Sequence, residues 1–188
     1  MKRIIVAITG ASGSIYGIRA LELLRNIDGV ETHLVVSPSA ARTILEETPY
    51  TAKQVTAFAD VSYDYRDIGA AISSGSFATA GMLVAPCSAK TLSGIANCYD
   101  SELTVRAADV CLKERRPVVL LFRETPLHAG HIALIQQATL NGAIVMPPVP
   151  AFYFKPQTIL EIVDQTVGRA LSLLGIDTKT VKRWKDPG

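Results

Sequence analysis

The sequence predicts an α/β domain in three layers, a six-stranded parallel sheet between two layers of helices. Short apolar runs rich in β-branched residues alternate with longer stretches whose apolar residues recur at helical spacing. The runs are nearly continuous rather than alternating in polarity, as strands buried on both faces must be. Each is bounded by Gly, Pro or Ser, which punctuate a chain where strand gives way to helix.

Taken in order, strands are expected at residues 4–9, 33–36, 81–85, 118–122 and 143–146, with a weaker sixth at 61–65. Helical patterns cover 15–25, 39–47, 88–97, 102–115 and 128–141. A last helix is expected at 156–174, Pro156 suiting its first turn and Gly175 its end. No repeat or low-complexity linker divides the chain, so residues 1–188 read as one domain with a C-terminal tail at 179–188. Two segments break the rhythm: 70–80 is small and polar, and 147–156 combines four prolines with three aromatics. With the tail, they are candidate walls of a site, because irregular segments of compact domains often carry function.

Bulk properties narrow the partners. A formal charge of +2 is too small to make nucleic acid the main partner. The densest basic stretch, 106–116, contains Asp109 and Glu114 and reads as a mixed-charge helix face. Cys87, Cys98 and Cys111 form no Cys-x-x-Cys pair, and their odd number argues against a disulfide framework. A reducing, cytoplasmic compartment is expected. The apolar run 4–8 is too short for a signal peptide, and no uninterrupted apolar stretch approaches the ~20 residues of a membrane helix.

The strongest local signal is Thr9-Gly10-Ala11-Ser12-Gly13-Ser14-Ile15-Tyr16-Gly17, an apolar strand running into a Gly/Ser turn that opens a helix. Backbone N–H groups at such a helix start favour a phosphate. A tight turn whose glycines only satisfy positive φ is the plainer alternative. The spacing is Gly-x-x-Gly-x-x-x-Gly rather than Gly-x-Gly-x-x-Gly, and the second strand ends in Ser37 rather than an acid, so NAD is disfavoured. A second strand-to-helix turn, Pro86-Cys87-Ser88-Ala89-Lys90-Thr91, offers donors, hydroxyls and a cation, although Ser88 would equally serve as a plain helix cap. Two such turns on central strands suggest one ligand spanning a switch-point crevice.

After the strand expected at 118–122 comes Arg123-Glu124-Thr125-Pro126, able to bind an anion and handle a proton, or else a surface ion pair. His128 and His131 lack metal-ligand spacing with Glu124, so no metal site is expected. Cys87 has no base assigned to it and reads as a buried strand cysteine.

These blocks, with Arg106-Ala107-Ala108-Asp109-Val110, Leu112-Lys113-Glu114-Arg115-Arg116-Pro117 and Pro150-Ala151-Phe152-Tyr153, resemble the UbiX/Pad-type flavin prenyltransferases, within the HFCD-like flavoproteins. The resemblance spans almost the whole chain. It implies a Rossmann-like fold and an enzyme that joins a dimethylallyl group to reduced FMN without a metal, making the cofactor of a separate UbiD-type aromatic acid decarboxylase. It implies FMN contacts at Gly10, Ala11, Ser12, Ser37, Ser88, Ala89, Lys90, Thr91 and Arg123. The allylic phosphate is implied near Lys113, Tyr153 and Arg169, with Arg123, Glu124 and Glu47 as catalytic groups; Glu46 is the alternative to Glu47. It also implies sites shared between subunits of a homo-oligomer, usually a dodecamer, and a prenyl pocket covered by Trp184. The donor, dimethylallyl monophosphate or diphosphate, stays open, as does the role of Lys90. The competing reading is a flavin carrier or subunit of a decarboxylase system without catalysis of its own. Flavin-dependent peptidyl-cysteine decarboxylases need a histidine after the third strand, and 59–80 contains none.

Overall fold

The computed structural model describes residues 1–185. Its elements run β1 (Lys2–Ile8), α1 (Ser14–Leu24), β2 (Val30–Val36), α2 (Pro38–Glu47), α3 (Ala52–Thr56), β3 (Val61–Tyr63), β4 (Gly81–Cys87), α4 (Ala89–Ala96), α5 (Leu103–Lys113), β5 (Val118–Phe122), α6 (Ala129–Leu140), β6 (Ile144–Val145) and α7 (Ile159–Leu173), with one 3₁₀ turn at Ala71–Ser73. All six strands are parallel, in the order β3-β2-β1-β4-β5-β6. Strand order therefore reverses between β1 and β4, which creates a crevice at their carboxyl ends.

Side-chain alternation along the strands divides the core into two layers. Ile4, Val6 and Ile8 of β1, with Leu83, Val119 and Leu121, pack against α1, α2, α3 and α7. Ile5 and Ala7, with Met82, Val84, Val118, Leu120 and Phe122, pack against α4, α5 and α6. Both faces of β1, β4 and β5 are thus buried, which is why their sequences read as unbroken apolar runs.

Several boundaries differ from the sequence expectation for local physical reasons. β4 continues past Ala85 through Pro86 to Cys87, its register to β5 shifting between Val84 and Cys87; Pro86 has no N–H for a regular ladder, so the strand bulges there. β1 ends at Ile8, where the Thr9 N–H and hydroxyl both turn to the Pro86 carbonyl at the irregular end of β4. The last helix starts at Ile159, not at Pro156: the Thr158 hydroxyl accepts from the Glu161 N–H and caps it. Gly175, at φ 72, follows its end as expected. The short helix α3 was not anticipated, although Thr51-x-x-Gln54 forms a capping box that the sequence displays. The basic stretch 106–116 is largely tied up within the chain, Arg106 on Asp100 and Asp109, and Arg116 on the Gly75 and Phe77 carbonyls. No helix among the described residues is long and apolar enough to cross a membrane.

Helix α1 crosses β1 and β4 at very short range through Gly17. A Cβ there would strike the Ala85 carbonyl oxygen and the Ile8 side chain. Gly17→Ala is therefore expected to overpack the core and destabilise the protein by about 1–3 kcal/mol, visible as a lower thermal midpoint. An unchanged midpoint would mean that α1 has room to lift from the sheet.

Candidate functional site

The crevice between β1 and β4 opens into a cavity of about 410 Å³, within the range of small-ligand sites. Its lining includes Gly10, Ala11 and Ser12 after β1, Ser37 at the end of β2, Ser88, Ala89, Lys90 and Thr91 after β4, and Arg123 and Glu124 after β5. The sequence reading anticipated all of these; it missed Pro38, Ser39, Tyr65 and Glu102. Glu102 was legible as the start of a helix, but only folding carries α5 and the Tyr65 segment to the crevice, through the Leu103 N–H on the Tyr65 carbonyl.

One hydroxyl sets the geometry of both turns. Buried Thr9 donates from Oγ1 to the Pro86 carbonyl (2.7 Å) and accepts from the Ser88 N–H (2.9 Å), stitching the ends of β1 and β4 together. Ser37 and Ser88 are ordinary N-caps, accepting from the Ala40 and Thr91 N–H groups respectively. Capping leaves the other N–H groups of those first turns uncommitted. Among the described residues, the N–H groups of Gly10, Ser12, Ser39, Ala89 and Lys90 have no protein acceptor.

The start of α1 itself is not open in the way the motif suggested. Gly13, in the left-handed region at φ 100, and Ser14 both donate their N–H to the Glu47 carboxylate, at 2.8 and 3.2 Å. The anion-facing donors of this loop thus lie upstream, at Gly10 and Ser12. Glu47, rather than its neighbour, reaches the turn: Glu46 pairs with Arg42 on the exposed side of α2.

Charge in the crevice is unevenly compensated. Lys90 pairs with the buried Glu102 at 3.1 Å. Arg123 has no carboxylate partner among the described residues; the Glu124 carboxylate accepts instead from the Thr125 N–H. A surface ion pair is therefore not what these two residues form. Burial raises the Tyr16 phenol above its usual range, and the nearby Arg123 charge partly opposes this. Burial likewise pushes the Cys87 thiol far up, leaving it a poor nucleophile. No group of three or more His, Cys, Asp or Glu that could hold a metal gathers among the described residues.

Lys113, Tyr153 and Arg169 do not line this crevice. Glu102 reaches the crevice just ahead of α5, but Lys113 closes that 11-residue helix, about 16 Å further along its axis. The Lys113 ammonium there meets Glu114 at 2.7 Å. Arg169 lies two-thirds of the way along α7, on the opposite face of the sheet from α5, and donates to the Ser172 hydroxyl. Tyr153 sits in the proline-rich loop, its hydroxyl donating to the Lys182 carbonyl and its ring edge-on to Trp184. Trp184 packs edge-on against Tyr153; residues 186–188 of the expected tail lie outside the described residues.

Fold and crevice together define a class: a doubly wound α/β protein with a nucleotide-sized, donor-lined crevice at its switch point. A family model described as Flavoprotein matches residues 1–182. The flavin prenyltransferase UbiX of Salmonella typhimurium is 58% identical over 176 residues, covering 94% of this chain and 93% of that protein. Among solved structures, AnUbiX (PadA1), in complex with FMN and dimethylallyl pyrophosphate, superposes with a TM-score of 0.96 at 48% identity, covering 98% of both chains. A dodecameric FMN-dependent UbiX-like decarboxylase from Escherichia coli O157:H7 superposes with a TM-score of 0.95 at 46% identity, covering 98% of this chain and all of that one. The chain belongs to the flavoprotein family and, within it, to the UbiX flavin prenyltransferases.

The stitch is directly testable. Thr9→Val keeps shape but strands the Ser88 N–H and leaves the Pro86 carbonyl with the Thr9 N–H alone, at 3.3 Å. A loss of about 1–3 kcal/mol in denaturant unfolding is expected, larger than for a surface substitution. A wild-type unfolding curve would show that the turns hold themselves.

Proposed function

We propose that this chain joins a dimethylallyl group, taken from its phosphate ester, to reduced FMN, and that the prenylated flavin serves a separate UbiD-type decarboxylase. The observation that carries the reading is the crevice: uncommitted N–H groups from three turns and an unpaired guanidinium, in a chain that belongs to the flavin prenyltransferases. That donor set suits a mononucleotide. Gly10, Ala11, Ser12, Ser37, Ser88, Ala89, Lys90, Thr91 and Arg123 would hold FMN, with its phosphate against the N–H groups. Lys90, already neutralised by Glu102, would contribute position more than charge.

Bound reduced flavin supplies the attacking atom and an aromatic face. The chain's own residues manage the charge that leaves. As the allylic carbon–oxygen bond breaks, the departing phosphate gains negative charge that fixed cations and donors must meet. Arg123, Lys113, Arg169 and the Tyr153 hydroxyl are our candidates for that work, and they suffice for a phosphate without a metal. Glu124, which lines the crevice beside Arg123, and Glu47, which does not line it but binds Gly13 and Ser14 at its edge, are our candidates to hold or move a proton.

Lys113, Tyr153 and Arg169 lie away from their own crevice, so they would act in the crevices of neighbouring copies. The dodecameric relative supports a homododecamer, as do the exposed Leu127, Ile132, Leu140 and Val149 that such an assembly would cover. We further propose that residues 1–188 act as one domain, and that the enzyme works in the cytoplasm, where its three free cysteines would stay reduced.

Two experiments test this. Ser12→Asp sets a carboxylate against the cofactor phosphate and is expected to abolish FMN retention on purification; a fully loaded variant would refute the placement. Tyr153→Phe and Arg169→Ala are expected to keep FMN but slow single-turnover flavin alkylation about ten- to a hundred-fold, since lost charge-assisted contacts weaken stabilisation by roughly 1.5–3 kcal/mol. Flavin mass, followed with the monophosphate and diphosphate donors and with EDTA present, gives the readout. Wild-type rates in both variants, or strict dependence on added magnesium, would refute the assignment.

A further inference from the structure

Two polar side chains are buried on α7: Thr166, whose hydroxyl returns to the helix's own Ile162 carbonyl, and Gln165, 7% exposed, which reaches outside the helix. Its amide is fully engaged. Oε1 accepts from the Lys182 N–H at 2.9 Å, and Nε2 donates to the Lys182 carbonyl at 2.9 Å and to the Tyr153 hydroxyl at 3.0 Å. This pattern leaves one orientation of the amide. One turn further along, Gly168 lets the tail lie flat: a Cβ there would meet Thr178, Thr180 and Val181. Gln165 thus clasps the tail to α7 and, through the same nitrogen, holds the phenol of Tyr153, whose ring supports Trp184 at 5.5 Å.

The Tyr153 proton is meanwhile committed to the Lys182 carbonyl, at 2.7 Å. For Tyr153 to donate to a phosphate, that proton must swing away. The carbonyl would then lose one partner but keep the other, because Gln165 Nε2 still donates to it. Without Gln165 the same swing would leave the carbonyl with no side-chain donor, and the Tyr153 proton would have to give up a bond that nothing in the clasp replaces.

We infer that Gln165 is a positioning residue for the prenyl donor: it fixes the Tyr153 hydroxyl and the tail carrying Trp184, and frees the Tyr153 proton for the donor's phosphate. The inference rests on the proposed role of Tyr153 at that phosphate.

The test uses the full-length, FMN-loaded protein. Gln165→Met keeps length and removes the hydrogen bonds. Gln165→Glu keeps the acceptor for the Lys182 N–H and removes the donors. Trp184 is the chain's one tryptophan, so acrylamide quenching of its emission reports the tail alone. For both variants we expect the half-saturating concentration of dimethylallyl monophosphate to rise roughly three- to ten-fold, with FMN affinity unchanged and Trp184 more readily quenched. Wild-type half-saturation and quenching in a loaded variant would overturn the inference. So would loss of FMN, which would mark Gln165 as a general structural residue. If Gln165→Met does not fold, the Glu variant decides by the same readouts. Tyr153→Phe separates the two layers of argument. If it is slow while the Gln165 variants are not, only this inference fails. If Tyr153→Phe is as fast as wild type, the phosphate role of Tyr153 fails instead, and Trp184 quenching alone still decides whether Gln165 holds the tail.

Discussion

Where a parallel sheet sends its helices to opposite faces, two neighbouring strands must part at their carboxyl ends, and here β1 and β4 part. Their backbone groups beyond the last ladder bond would be left to water. Thr9 takes them up: its N–H and hydroxyl both donate to the Pro86 carbonyl, and the hydroxyl accepts from the Ser88 N–H across the gap. A buried donor or acceptor without a partner costs about 1–3 kcal/mol, so this one side chain holds two loops at a fixed separation. The bulge at Pro86 turns that carbonyl toward Thr9, and Gly17 lets α1 approach closely enough to begin directly beyond it. The crevice is the space that remains.

Electrostatics then distinguishes the groups around that space. Lys90 has a carboxylate partner within the chain, and a paired cation offers a ligand little net attraction. Arg123 lines the cavity without one among the described residues. The Glu47 carboxylate occupies the N–H groups of Gly13 and Ser14, so among the described residues the uncommitted donors are those of the Gly10–Ser12 loop and of the starts of α2 and α4.

A second group of polar contacts lies on the other side of the molecule. The tail crosses α7 over Gly168 and is held by the Gln165 amide, which treats the Lys182 peptide as a strand neighbour would. Lys113 and Arg169, by contrast, lie outside the lining of their own crevice and meet Glu114 and Ser172 instead.

The layered fold was legible in the sequence because burial on both faces leaves an unmistakable mark: β1, β4 and β5 are continuous apolar runs, and a sheet covered by helices on both sides hides such runs completely. The crevice lining was legible for a related reason, since Gly10–Ser12, Ser37, Ser88–Thr91 and Arg123 all directly follow strands, and parallel strands bring their carboxyl ends to one edge. What depended on distance along the chain was not legible. The pairing of Lys90 with Glu102, the capture of the α1 start by Glu47, the reach of Tyr65 to the cavity and the clasp of Gln165 on Lys182 join segments whose separation in sequence carries no pattern. Only the tertiary structure decided those, because a hydrogen bond is specified by where two backbones pass each other, and periodicity records only which side of an element faces the core.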